Sequence, residues 1–143
     1  MAASAPRATQ SEPGIVAGAP QMLLRLEAAA ALAAASFAYS RLGGHWLPFA
    51  ALFLLPDLSM LGYLAGRRVG AVCYNAGHSY LGPAALGALG ISLNVSALLC
   101  FACIWCAHIG FDRLLGYGLK YGTSFSDTHL GRRGPNSSPR SLP

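Results

Sequence analysis

Four apolar stretches constrain this chain more than any other feature: Met22–Ser40, Trp46–Ala65, Val69–Gly90 and Leu93–Phe111. A helix crosses a hydrocarbon core with about 20 apolar residues, and each stretch has that reach. Charged residues make up only 10% of the 143, against 54% hydrophobic, where a soluble domain carries about 25% charged. A soluble fold would have to bury all four stretches in one small core, with too little charge left to solvate its surface. The expectation is an all-α integral membrane domain over residues 21–131. Its links, Arg41–His45, Gly66-Arg67-Arg68 and Gly90–Asn94, are short. Short links force antiparallel neighbours, hence an up-down bundle of four transmembrane helices.

The flanks read differently. Residues 1–20 are rich in Ala, Pro and Ser, and residues 132–143 in Gly, Pro, Ser and Arg. Neither can bury enough apolar surface to order itself, so both are expected to be disordered tails. The first apolar run begins too late, and Tyr39-Ser40-Arg41 is too poor a cleavage site, for a signal peptide; the first helix is expected to remain as an anchor.

Basic residues set the expected orientation. With four spans, Arg7, Arg25, Arg67, Arg68, Arg113, Lys120, Arg132, Arg133 and Arg140 fall on one side and Arg41 alone on the other. The basic side marks the cytoplasm. The expected location is a bacterial inner membrane, multi-pass, with both termini and the C-terminal segment cytoplasmic. The net charge of +5 is then a loop bias. No basic patch is interleaved with exposed aromatics, so nucleic acid is not an expected partner.

Against this background the buried polar groups stand out. Of five acidic residues, Glu27, Asp57 and Asp112 lie in or at the edge of the apolar stretches. So do His78 and His108, two of four histidines. A charge at the bilayer centre costs about 2.5–3.5 kcal/mol on insertion scales, so such groups mark a site. Asp57 follows Trp46 by about 16 Å of helix, near the midplane. His78 lies at a similar depth counted from the inner face, Asn75 is shallower, and His108 sits in the inner half. Glu27 is about two turns in from the inside. The outer halves, Trp46–Leu55 and Leu81–Gly90, carry no ionisable side chain. That pattern excludes a continuous ion channel, which needs polar lining throughout, and favours a pocket open to the cytoplasm.

Spacing refines the set. His108 and Asp112 are four apart on one helix face, where a carboxylate fixes an imidazole as a base or a metal ligand. Asn75 and His78 also share a face, with Tyr74 four before His78. Pro56 removes a backbone bond beside Asp57 and opens space there. Asp57, His78, His108 and Asp112 are the candidate catalytic groups. Asp57, His78 and His108 suit a divalent metal such as zinc, although no single stretch has a zinc signature and the cofactor stays open. Glu27, Asn75, Arg113, Asp127 and His129 are candidate supporting residues. Each also has a plain reading: Glu27 as an arginine's structural partner, Asn75 as packing glue, Asp112 and Arg113 as interfacial charges. The segment from Ser124 to Gly131 reads as a capped turn, or as a lid adding Asp127 and His129. Gly62-x-x-x-Gly66 reads first as a turn feature. Cys100, Cys103 and Cys106 cannot encircle a cluster from one straight helix, so they read as apolar packing. Cys73 reads as a free thiol.

Several long motifs carry a resemblance: Leu55-Pro56-Asp57-Leu58-Ser59-Met60-Leu61-Gly62-Tyr63, Tyr74-Asn75-x-x-His78-x-Tyr80, His108-Ile109-Gly110-Phe111-Asp112-Arg113 continuing through Gly116-Tyr117-Gly118-Leu119-Lys120-Tyr121, and Asp127-Thr128-His129-Leu130-Gly131. Together with Leu24-Arg25-Leu26-Glu27, the chain from Leu23 to Arg132 resembles the uncharacterised bacterial membrane family known as domain of unknown function 4260. The resemblance implies a small multi-span bacterial membrane protein and no particular reaction. Three functions stay open: a metal-dependent or hydrolytic site acting from the cytoplasmic leaflet, a non-enzymatic binder of lipid or a small molecule, and an accessory subunit of a membrane complex.

Overall fold

A computed structural model describes residues 14–123 and 125–132. Of the tails expected to be disordered over 1–20 and 132–143, residues 1–13 and 133–143 lie outside the described residues, as does Ser124. The chain is helical, with α1 at Ala19–Arg41, α2 at Trp46–Leu52, a 3-10 helix at Leu55–Ala65, α3 at Arg67–Gly77, α4 at Leu81–Leu93 and α5 at Ser96–Leu115. A small antiparallel hairpin, β1 (Asp127–Thr128) and β2 (Gly131–Arg132), follows. Three segments are long and apolar enough to cross a membrane: Ala19–Arg41, Trp46–Ala65 and Ser96–Leu115.

The third apolar stretch is not the single helix expected over Val69–Gly90. It breaks at His78-Ser79-Tyr80 into α3 and α4. Gly77 and Gly82 are poor helix formers, and Pro83 has no N–H to donate back to Ser79. The second stretch also changes character. Pro56 disfavours α geometry at Leu55, and the chain continues as a 3-10 helix in which Asp57 N–H donates to the Leu54 carbonyl at 3.1 Å. Runs of 3-10 helix beyond three or four residues are uncommon and mark strain or function; this one runs for 11 residues.

Helix α5 is the centre of the bundle and carries more buried residues than any other element: Ala102, Ile104, Ala107, His108, Ile109 and Gly110. Helices α1 and α4 pack against it, while the 3-10 helix and α3 form an antiparallel pair beside it. The α1–α5 approach is backbone to backbone. A Cβ added at Gly110 would stand 2.8 Å from the Ala28 carbonyl oxygen and 2.9 Å from Leu32 N, so only glycine fits. Gly66 has φ of 116° and is a turn residue, while Gly62 lies against Cys73 within the chain. Many large apolar side chains face outward, among them Leu47, Leu64 and Leu81. So broad an apolar exterior matches a lipid-facing surface.

The chain ends of α1 and α5 meet. Arg25 Nε donates to the Leu114 carbonyl at 2.8 Å, next to the last turn of α5. Val16 N–H donates to the His129 carbonyl at 2.9 Å, and the Gln21 side chain donates to the Leu130 carbonyl. Residues 14–18 and the hairpin therefore close one end of the bundle.

Candidate metal centre

Both helix breaks face the same side of α5, and the ionisable groups meet there. His78 sits at the C-terminal end of α3, Asp57 in the first turn of the 3-10 helix, and His108 with Asp112 one turn apart on α5. One ligand atom from each of these four residues lies within 4.8 Å of all the others. His78 and His108 are buried, their side chains 4% and 1% exposed, while Asp57 is 36% and Asp112 17% exposed. The cluster therefore opens on its carboxylate side.

The distances within the cluster suit a cation. His78 Nε2 and His108 Nε2 are 3.2 Å apart. Asp57 Oδ1 is 3.4 Å from His78 Nε2 and 3.5 Å from His108 Nε2. Asp112 Oδ2 is 3.4 Å from His78 Nε2. Tetrahedral zinc with bonds of about 2.0–2.1 Å spaces its ligand atoms about 3.3–3.4 Å apart. The triangle of His78, His108 and Asp57 has sides close to that spacing, and Asp112 stands beside a fourth corner.

Surrounding groups hold the ligands in place. The Tyr74 carbonyl, 3.0 Å from His78 Nδ1, can only accept, so Nδ1 carries the proton and Nε2 keeps its lone pair. The Tyr74 ring stacks on the His78 ring at 3.8 Å, and its hydroxyl donates to Asp112 Oδ2 at 3.1 Å. One tyrosine thus orients two candidate ligands. The Phe53 ring packs edge-on against His108 at 5.3 Å. His108 Nδ1 faces the Phe53 backbone without a hydrogen bond of ordinary geometry.

The broken helix ends are themselves satisfied. The last carbonyls of a helix have no intrahelical partner. Trp105 Nε1 donates to the Gly77 carbonyl at 2.6 Å, and Arg113 Nη2 reaches the His78 carbonyl at 3.4 Å. The partly negative end of α3 points at the cluster and favours a cation there. The partly positive start of the 3-10 helix lies at Asp57 and favours its carboxylate.

The supporting residues divide. Asn75 does not face the cluster: its side chain accepts from Lys120 N–H at 2.7 Å and donates to the Lys120 carbonyl at 2.9 Å. It pins the C-terminal segment to α3. Arg113 stays close, reaching the His78 carbonyl and lying 4.5 Å over the Tyr80 ring. Glu27 makes no ion pair among the described residues; it lines a separate cavity of about 110 Å³ with Arg113 and His129. Asp127 accepts from the Thr123 hydroxyl at 2.9 Å, and His129 Nδ1 accepts from Leu119 N–H at 2.9 Å. Both serve the hairpin. Burial pushes His129 below the usual imidazole range, and the Arg113 charge pushes the same way. Burial also lowers Lys120, whose ammonium lies 3.8 Å over the Phe125 ring.

Trp105 was missing from the candidates. Its signal was its depth: an indole N–H far from the interface needs a partner.

Residues 21–132 match the model of a family described as "Domain of unknown function (DUF4260)". The chain belongs to this family. The match runs from the start of α1 to the end of β2 and takes in all four cluster residues. No curated protein and no solved structure matches the chain. This family member carries a polar His/Asp cluster, with Asp57, His108 and Asp112 on segments long and apolar enough to cross a membrane.

Proposed function

We propose that this is a small bacterial inner-membrane protein with a divalent metal site, zinc by its donor set, that performs hydrolysis from the cytoplasmic leaflet. The single observation that carries the reading is that one ligand atom from each of two buried histidines and two aspartates lies within 4.8 Å of the others, with those of His78, His108 and Asp57 3.2–3.5 Å apart. Two imidazoles and two carboxylates are a zinc-type donor set. The chain crosses four times. The first and fourth crossings are α1 and α5, the second is α2 with the 3-10 helix, and the third is α3 with α4. Both termini and the hairpin lie in the cytoplasm, a reading that the excess of Lys and Arg on that side supports. Broken helices at membrane depth are tolerated where they line a protein site rather than lipid, which is where these two breaks fall.

His78, His108 and Asp57 would hold the ion. A zinc ion lowers the pKa of its bound water to about 7 and so supplies a nucleophile at neutral pH. Asp112, fixed by the Tyr74 hydroxyl, stands beside these three and would serve as the general base. Tyr74 keeps His78 in the tautomer with its Nε2 lone pair free.

Competition titration of the full chain in dodecyl maltoside, with a zinc-chelating dye, tests the site. One zinc per chain is expected, and none in His78→Ala. Turnover of p-nitrophenyl esters or phosphodiesters that stops with chelator and returns with zinc supports the hydrolytic step. One zinc per chain with no turnover would leave a metal-binding membrane protein and overturn the reaction.

A further inference from the structure

A second feature lies on the opposite side of α5 from the metal cluster. A lateral groove of about 800 Å³ runs between α1 and α4 with α5 as its floor. Its size falls within the roughly 300–1,000 Å³ of small-molecule sites. Ala31 and Ala38 form part of one wall, Gly87 part of the other, and Cys103 part of the floor. Tyr80 closes one end. Arg41, the only charged residue lining it among the described residues, stands at the other.

Two observations point to one occupant. From Ala31 to Arg41 the groove follows α1 for about 15 Å. That is half of a hydrocarbon core of about 30 Å, the depth of one leaflet. The Arg41 guanidinium makes no ion pair among the described residues, and it stands where a headgroup phosphate would meet it. We infer that the groove binds a phospholipid, with one acyl chain along α5 and its phosphate on Arg41. The chain ends against Tyr80. This site does not depend on the metal centre.

Space exists to test it. A Cβ at Gly87 meets only the Ala102 Cβ, at 3.7 Å, so Gly87→Leu projects into the groove without a backbone clash. The probe is dioctanoyl phosphatidylglycerol, added to the full chain in detergent and read by native mass spectrometry. Dioctanoylglycerol, which lacks the phosphate, is the control. One phosphatidylglycerol per chain is expected, at least tenfold tighter than dioctanoylglycerol. Gly87→Leu should weaken both lipids at least tenfold. Arg41→Gln, a change at an exposed helix end, should weaken phosphatidylglycerol alone and erase the preference. Zinc binding should be unchanged in both variants. Equal binding of the two lipids by the wild type, Gly87→Leu binding like wild type, or a dimer that excludes lipid would each overturn the inference.

Discussion

His78 and His108 reach the same point from different helices, their Nε2 atoms 3.2 Å apart and their rings inclined at 63°. Since the His78 proton sits on Nδ1, its Nε2 lone pair faces a second imidazole nitrogen with two carboxylate oxygens close by. A bound cation satisfies all four groups together. Without it, Asp57 and Asp112 repel across less than 4.8 Å.

That repulsion makes Asp57→Asn informative. The substitution removes one negative charge and one metal ligand. With zinc absent, Asp57→Asn is expected to melt at or above the temperature of the wild type. With zinc at 100 times the wild-type Kd, the wild type should gain about 2.7 kcal/mol and the variant almost nothing. Thermal unfolding in detergent, with and without zinc, measures both. If the zinc-free variant unfolds as badly as a core deletion, Asp57 belongs to a structural lock and the protein reads as an accessory subunit.

Tyr74→Phe removes only the hydroxyl that donates to Asp112 Oδ2 and keeps the ring stacked on His78. Loss of such an outer partner costs about 10–100-fold in metal affinity or activity. Ester turnover should show that loss, with zinc affinity and the melting temperature of the zinc-free protein unchanged.

Asn75→Ala should behave in the opposite way. Asn75 pairs with both backbone groups of Lys120, and Lys120 is 6% exposed. Leaving those groups unpaired costs about 1–3 kcal/mol each. Trypsin should then cut after Lys120 faster than in the wild type, while zinc affinity stays the same. A loss of zinc affinity without faster cleavage would return Asn75 to the metal site.

His129 gives the hairpin a pH dependence. Its pKa in the folded chain lies below the ordinary 6.5. The unfolded or undocked form therefore binds a proton first as the pH falls, and stability drops with it. Protonation also removes the Nδ1 lone pair that accepts from Leu119 N–H. The protection factor at Leu119, taken against its intrinsic exchange rate at each pH, should be constant above about pH 6.5 and fall below it. His129→Gln should flatten that change.

The four cluster residues were legible because each obeyed a local rule. Asp57 had no solvated explanation at its depth, and the spacing of His108 and Asp112 placed them on one face. The breaks that bring His78 and Asp57 to them were only half legible. Pro56 announced a disturbance, but not 11 residues of 3-10 helix. The break at His78-Ser79-Tyr80 leaves no mark in the hydropathy, because a helix interrupted for three residues keeps the profile of a continuous one. Asn75 shared a face with His78, yet its partner lies 45 residues away in an extended segment that no periodicity reveals. Glu27 could reach an arginine by spacing alone, but Arg25 turns to the Leu114 carbonyl instead.

The metal content of the protein as isolated tests the account most directly. The full chain, extracted in mild detergent without added metal or chelator, should carry one divalent ion per chain by elemental mass spectrometry. His108→Ala, purified in parallel, should carry less than about a tenth of that, in line with losing a primary ligand from a buried site. A folded wild-type protein that holds no divalent ion as isolated, and takes up none when zinc is added, would contradict the metal centre.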